Sequence, residues 1–373
     1  MPASTPVRGP GGTCCGLDVG CEAVIDLRSD LCSLPTDEMW EAMREAELGW
    51  ATLGEDASVN ALCERAAELL GKAAATWVPT CGMANLAVML TFCEPGDRVV
   101  LESSSHVLTS EAMGITEIAR LEPCSLWARD GRMDPAAVEE LIAEQRARLL
   151  ILENTHTRAG GTTLSVELTE ALGAAAKRHH CRVHVDGARL VNASVALGVP
   201  LADLAAPANS VVLSLNKGLS APMGTVLAGS EAVVERARLM LRRLGGATFH
   251  RAGIAAAAGL VALDTMVDRI AEDHRRARDL GAGLAGIPGL RLSAPVETNI
   301  VIVDASATGL DMEALVDLLA AAGVRLLMRG TSGLRLVTHR LIGDTEIEKA
   351  VAIIADVVTT AVAESATTEE GRS

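Results

Sequence analysis

Through the first two-thirds of the chain, short apolar runs alternate with stretches of amphipathic helical period. Strands that are apolar along their whole length must be covered on both faces, and the intervening helices do the covering. The alternation therefore predicts an α/β fold with a mainly parallel sheet and helices on each side. Strands are expected at Val24–Arg28, Thr76–Val78, Arg98–Leu101, Arg148–Leu152, Arg182–Val185, Ser210–Leu215 and Thr225–Ala228, and helices at Asp134–Arg146 and Val166–Arg178. In such sheets a ligand sits beyond the carboxyl ends of the strands. A long helical region, Gly253–Gly286, leads away from this domain and stops at Pro288-Gly289. Past it, strands near Asn299–Val303 and Leu334–Val337 and helices near Met312–Ala322 and Thr345–Thr360 suggest a small α/β domain. The expected division is a flexible tail (1–23), a large domain (24–252), a connecting helix with the small domain (253–364) and a disordered polar tail (365–373).

Composition removes several classes of function. No apolar run approaches the roughly 20 residues needed to span a bilayer, and residues 1–23 lack the apolar segment of a signal peptide, so the protein reads as cytoplasmic. Its nine cysteines are odd in number and widely scattered, which argues against a disulfide framework; Cys14 and Cys15 read as incidental thiols in the tail. No CxxC pair suggests zinc, and no metal is expected. A net charge of −15 disfavours nucleic acids and anionic membranes, though local arginines can still hold a small anionic substrate. Aromatic residues are scarce, with two Phe, four Trp and no Tyr.

Three segments carry chemistry. In Ser214-Leu215-Asn216-Lys217-Gly218-Leu219-Ser220 a buried strand ends and a single lysine follows. Partial desolvation there would lower the lysine pKa and favour imine formation, although a solvated loop lysine fits the fragment equally well. About thirty residues earlier, His184-Val185-Asp186-Gly187-Ala188-Arg189 puts Asp186 at another strand end, with Gly187 leaving room for a ligand. Such a carboxylate can pair with a protonated pyridine nitrogen; alone, it reads as a helix cap. The third segment, Pro79-Thr80-Cys81-Gly82-Met83-Ala84-Asn85, opens a helix with small residues whose free amides suit a phosphate.

In order, and over nearly the whole chain, these segments resemble the low-specificity L-threonine aldolases, fold-type-I pyridoxal-phosphate enzymes of the β-eliminating lyase and aldolase group. Matching stretches include Asp26-Leu27-Arg28-Ser29-Asp30, Gly54-Glu55-Asp56, Leu152-Glu153-Asn154-Thr155-His156, His184–Arg189, Lys217-Gly218-Leu219 and Arg335-Leu336-Val337-Thr338-His339. The resemblance implies a large domain with a seven-stranded sheet and a small C-terminal domain. It implies pyridoxal 5′-phosphate on Lys217, Asp186 beneath the pyridine nitrogen and His106 stacked on the ring. Thr80, Cys81 and Gly82 would hold the phosphate, and Ser29, Arg189 and Arg335 the substrate carboxylate, with Arg189 also near the cofactor. The implied reaction splits an L-β-hydroxy-α-amino acid into glycine and an aldehyde, with His106 or a water it holds as base. A homotetramer built from dimers is implied, with His250 or Arg251 reaching the neighbouring subunit's phosphate.

The sequence also departs from the family pattern. Leu53 and Ser110 stand where aromatics are usual, Cys81-Gly82 replaces Gly-Thr, Asn216 and Ser220 flank the lysine in place of Ser and Gly, and His250 occupies an arginine position. Loss of two phenols alters the side-chain pocket more than the cofactor chemistry, leaving room for a larger β-hydroxy amino acid. β-Elimination, racemisation or transamination on the same cofactor remain alternatives, because bond choice depends on how Cα is oriented. A non-catalytic relative would have no use for Lys217, Asp186, Arg189 and Arg335 together.

Overall fold

The computed structural model of the chain describes residues 24–370; the tail at 1–23, with Cys14 and Cys15, and residues 371–373 lie outside them. The strands in chain order are β1 (Ile25–Asp26), β2 (Ala74–Val78), β3 (Arg98–Glu102), β4 (Glu122–Leu126), β5 (Leu149–Glu153), β6 (Arg182–Gly187), β7 (Ser210–Ser214), β8 (Thr225–Gly229), β9 (Arg291–Leu292), β10 (Ile300–Asp304), β11 (Val324–Arg325), β12 (Leu327–Arg329) and β13 (Gly333–Val337). Seven of them form the large sheet in the order β2-β8-β7-β6-β5-β3-β4. All neighbours pair in parallel except β8, which runs antiparallel to both β2 and β7.

The central strands are continuous apolar runs because helices cover both of their faces: every residue of β5, β7 and β8 is buried. Helix starts are set by short polar side chains that accept a hydrogen bond from a first-turn amide. Thr80 does so for Cys81–Phe92, Asp134 for Pro135–Gln145, Ser165 for Val166–Arg178 and Ser230 for Glu231–Arg243.

Three arrangements differ from the sequence expectation. The first strand is only two residues long and belongs to the small domain: β1 pairs in parallel with β11, and Ile25 and Leu27 join the small-domain core. The connecting helix is two helices, Ala252–Thr265 packed into the large core and Ile270–Ala285 into the small one. The last helix, Asp344–Glu370, runs through residues expected to be disordered from 365 onward, carried by good helix formers such as Ala361, Ala363 and Glu364. The edge strand β4 has no strongly apolar signature, which is why its sequence does not announce it.

Gly187 takes on a role other than leaving room for a ligand. A Cβ there would lie 2.4 Å from the Val212 carbonyl oxygen of β7 and 3.0 Å from Leu190 Cβ. Glycine thus lets β6 and β7 close up directly beside Asp186. Gly187→Ala should cost roughly 1–3 kcal/mol, since backbone on one side cannot give way. Chemical denaturation checks this, and a variant as stable as wild type would mean that the strands can part there freely.

Candidate active site

Polar side chains collect past the carboxyl ends of β3, β5, β6 and β7. Asp186, on β6, is buried, and three neutral donors hold its carboxylate: Asn85 Nδ2 at 3.1 Å, the Ala188 amide at 3.2 Å and Cys81 Sγ at 3.7 Å. Burial, then the nearby Asp186 charge, pushes the Cys81 thiol well above its usual range, so it acts as a neutral donor. Beneath Asp186, His184 reaches Asn85 Oδ1 with Nε2 (3.0 Å) and Ser210 Oγ with Nδ1 (2.9 Å). Because Asn85 already donates its amide to Asp186, its oxygen must accept from His184, which fixes the imidazole as the neutral Nε2–H tautomer. Burial agrees, pushing the His184 pKa down to about 4.

Lys217 follows β7 in a tight turn: the Ser220 amide donates to the Lys217 carbonyl at 2.8 Å, and the Ala221 amide to that of Leu215 at 2.9 Å. Ser220 sits at φ 64°, in the left-handed region that glycine favours, which explains glycine at this position in the family pattern. Its hydroxyl is tied to that of Ser33, so the serine is anchored where glycine would be free. The Lys217 charge lies close enough to act on Asp30, Cys81 and His106.

His106 opens a short helix whose first amide donates to Glu153 at 2.7 Å. Its Nδ1 bonds Glu111 Oε1 at 3.2 Å, and that oxygen also accepts from Asn85 Nδ2 at 2.8 Å. The Glu111 bond raises the His106 pKa against the opposing effect of burial. Glu111 escaped the sequence reading, and its only signal is its place one turn beyond His106. One donor atom from each of His106, Glu111 and Asp186 lies within 4.8 Å of the others; this convergence of metal-ligand types has no counterpart in sequence spacing. Behind them His156 bonds Glu102 at 3.0 Å. Burial alone would raise the Glu102 pKa, but bonds from His156 and Ser104 hold it down to about 2.

On the side expected to hold a substrate carboxylate, Arg189 donates from Nε and Nη2 to both oxygens of Asp30 (2.8 and 2.7 Å) and from Nη1 to Thr157 Oγ1 (3.2 Å). The fork expected to be open to a substrate is therefore closed on Asp30. Ser29 caps the short turn after it, accepting from Leu31 N. Arg335, on β13, is different: Nη2 donates to the Arg28 carbonyl at 3.1 Å, while Nε is buried without a partner. Burial, then repulsion from Arg189, lowers its pKa.

The remaining expected residues divide. Thr80 is a helix cap, so the amides of Cys81 and Gly82 stay unused by the helix. A cleft of about 390 Å³ beside them is lined by Gly82, His106, Ser110 and Glu111. His250 is not brought to this cluster; it packs edge-on against Trp50, ring centroids 5.9 Å apart, and Arg251 stands at the N-cap position of the helix that follows, with no side-chain capping bond.

Comparisons with known proteins point to one family. The family described as Beta-eliminating lyase matches residues 26–308. The Low-specificity L-threonine aldolase 1 of Arabidopsis thaliana is 39% identical over 334 residues, covering 87% of this chain and 93% of that protein. The Low specificity L-threonine aldolase of Escherichia coli (strain K12) is 35% identical over 329 residues, covering 85% and 94%. Among solved structures, a threonine aldolase from Leishmania major has the same fold, with a TM-score of 0.77 over 90% of this chain and 99% of that one at 21% identity.

The neutral His184 carries a pH signature. Its folded pKa of about 4 lies below the ordinary histidine value, so its stabilising contribution is complete above the unfolded pKa and is lost as pH falls towards the folded one. His274, also near 4, behaves the same way. Between pH 7 and pH 5, His184→Gln should lose roughly 1–2 kcal/mol less stability than wild type. Parallel stability curves over that window would mean that His184 is not held neutral.

Proposed function

The chain belongs to the β-eliminating lyase family, among the low-specificity L-threonine aldolases, and from that premise we propose that it cleaves an L-β-hydroxy-α-amino acid to glycine and an aldehyde with pyridoxal phosphate on Lys217. Members of this family are pyridoxal-phosphate-dependent lyases. The substrate is threonine, allo-threonine or a larger analogue. What carries the proposal is that Lys217 and Asp186 stand at the carboxyl ends of adjacent strands, together with an Arg335 guanidinium whose Nε has no partner.

The residues fit the cofactor. Asp186 is a buried carboxylate held only by neutral donors, so its charge is uncompensated and suits a protonated pyridine nitrogen. Lys217 supplies the amine, the imidazole of His106 a flat face, and the amides of Cys81 and Gly82, at a helix start capped by Thr80, a cradle for phosphate. When bound, the cofactor withdraws the electron pair released as a bond to Cα breaks.

The protein selects and serves that bond. Arg335 takes the substrate carboxylate through its open Nε edge, with Ser29 and the Nη1 side of Arg189 beside it. Held there, the substrate would present its Cα–Cβ bond, rather than another bond at Cα, for cleavage. With Nδ1 of His106 on Glu111, its Nε2 is left to take the β-hydroxyl proton, and Glu111 steadies the resulting cation. Incubation with threonine should yield equal amounts of glycine and acetaldehyde. Borohydride should fix the cofactor to Lys217 and leave Lys217→Ala unlabelled. Pyruvate, alanine racemisation or an adduct on another lysine would count against this assignment.

Assembly and location follow the same reading. Among the described residues no helix is long and apolar enough to cross a membrane, and we place the enzyme in the cytoplasm. Trp50, Leu53 and Phe249 expose large apolar surfaces around a second cleft of about 390 Å³. Such a patch is suited to a second copy of the chain, a dimer or a dimer of dimers in which His250 or Arg251 faces the neighbour's phosphate. Light scattering should find at least a dimer, and Leu53→Glu should dissociate it. A monomer with full turnover would refute shared sites.

A further inference from the structure

The substrate-facing edge of the site holds more arginine than one carboxylate can use. Arg158 lies in the loop after β5, next to the Thr157 hydroxyl that receives Arg189, and its Nη2 points to Ser110 Oγ at 3.5 Å. Arg329, at the end of β12, donates to the Arg158 carbonyl. In the antiparallel pairing of β12 with β13, Leu327 lies opposite Arg335 and Arg329 opposite Gly333, so Arg329 and Arg335 share one face as diagonal neighbours.

The carboxylates nearby are already engaged: Asp30 holds Arg189, and Asp26 holds Arg28. Among the described residues, Arg158, Arg329 and Arg335 have no ion-pair partner; what they reach are a serine hydroxyl and backbone carbonyls. Mutual repulsion follows. After burial, Arg158 lowers the pKa of Arg329, and both add to the lowering of Arg335. Arg158 and Arg329 are exposed, so water screens much of this repulsion, but the cluster still presents like charges that an anion would suit. The α-carboxylate of an amino acid accounts for Arg335 alone. Two arginines remain, and one of them, Arg158, reaches Ser110, the position where an aromatic side chain is usual.

Resting on the aldolase reading, we propose that Arg158 and Arg329 bind a second anion at the far end of the substrate side chain. The preferred substrate class is then a β-hydroxy-α-amino acid whose side chain ends in a carboxylate or a phosphate ester. In the reaction the Cα–Cβ bond breaks with its electron pair left at Cα, the β-hydroxyl gives up its proton and becomes a carbonyl, and Cα takes up a proton. The products are glycine and an aldehyde that keeps the second anion. Guanidinium forks suit either terminus.

Two matched pairs of substrates test this with the holoenzyme: 3-hydroxyaspartate against its amide 3-hydroxyasparagine, and 4-hydroxythreonine phosphate against 4-hydroxythreonine. The kcat/KM ratio of charged to neutral substrate should exceed roughly tenfold in one pair, the scale expected for two charge-assisted contacts at a partly exposed site; which pair shows it tells carboxylate from phosphate. Arg158→Ala and Arg329→Ala should each bring that ratio towards one, and Arg158→Lys should restore part of it. If a variant fails to fold, the wild-type ratio itself must fall with added salt. Glycine from threonine with ratios near one in both pairs would leave the aldolase standing and overturn the second anion. A high ratio unmoved by either substitution would overturn it too, as would variants that lose only their oligomeric state. No glycine from any substrate would remove the aldolase reading and this inference together.

Discussion

The buried ion pair between Arg189 and Asp30 holds the site in shape. The two side chains are 5% and 0% exposed, and burying two charges is tolerable only when nearly every donor and acceptor is met. Here they are: Asp30 receives both arms of Arg189 together with bonds from Asn299 and Ser29, and the last Arg189 nitrogen has Thr157. Asp30 comes from the N-terminal segment, Arg189 follows β6 in the large domain, and Asn299 begins the central strand of the small domain. One carboxylate thus joins three parts of the chain that share no backbone pairing at that point. Removing either charge would strand the other in a medium that cannot solvate it, so the pair acts as a constraint on domain position more than as a source of net stability. It also divides labour between the arginines. With Arg189 committed to structure, Arg335 is left as the guanidinium with an open edge.

Under Asp186 the same logic works with neutral groups. In the proposed role, a buried carboxylate that is to meet a cation must be oriented without being neutralised beforehand. Asn85, Cys81 and a backbone amide do this, and His184 with Ser210 fixes which way the Asn85 amide faces. A charged histidine at 184 would compete for Asp186. Its burial keeps it neutral, so the whole chain of contacts is directional and leaves one carboxylate charge to be matched.

What the sequence made legible follows from which signals are local. A run such as Leu149–Glu153 is apolar because it is buried on both sides, and Thr80 or Ser165 caps a helix through bonds spanning three residues, so strands and helix starts in the large domain could be read directly. Lys217 and Asp186 were legible because strand ends in such a sheet meet in space. The rest was set by distant contacts. Nothing in Ile25–Asp26 says that its partner is β11, some three hundred residues away. Arg189 looked available because Asp30, its occupant, is 159 residues away, and Glu111 was invisible because its role exists only through Asn85 and His106. Gly187 was read as room for a ligand when the close neighbour is the Val212 carbonyl.

Taken together, the two sides of the site carry opposite charge despite the chain's overall −15. Towards the sheet lie Asp186, Glu111, Glu153 and Glu102, of which Glu111 and Glu102 bond the imidazoles of His106 and His156; towards the small domain lie Arg335, Arg189, Arg329 and Arg158. Local fields of this kind depend on nearby charges far more than on net charge, because screening removes distant ones within about a Debye length, roughly 10 Å at 0.1 M salt. On the proposed function, an amino acid entering between them would settle with its carboxylate towards the arginines and its amine towards Lys217. Orientation is therefore written in charge before any close packing is made. A chain with two Phe, four Trp and no Tyr has few flat side chains with which to fix a substrate by shape. On that reading, charge placement is the remaining means of orienting the substrate, and it is the means this site has in surplus.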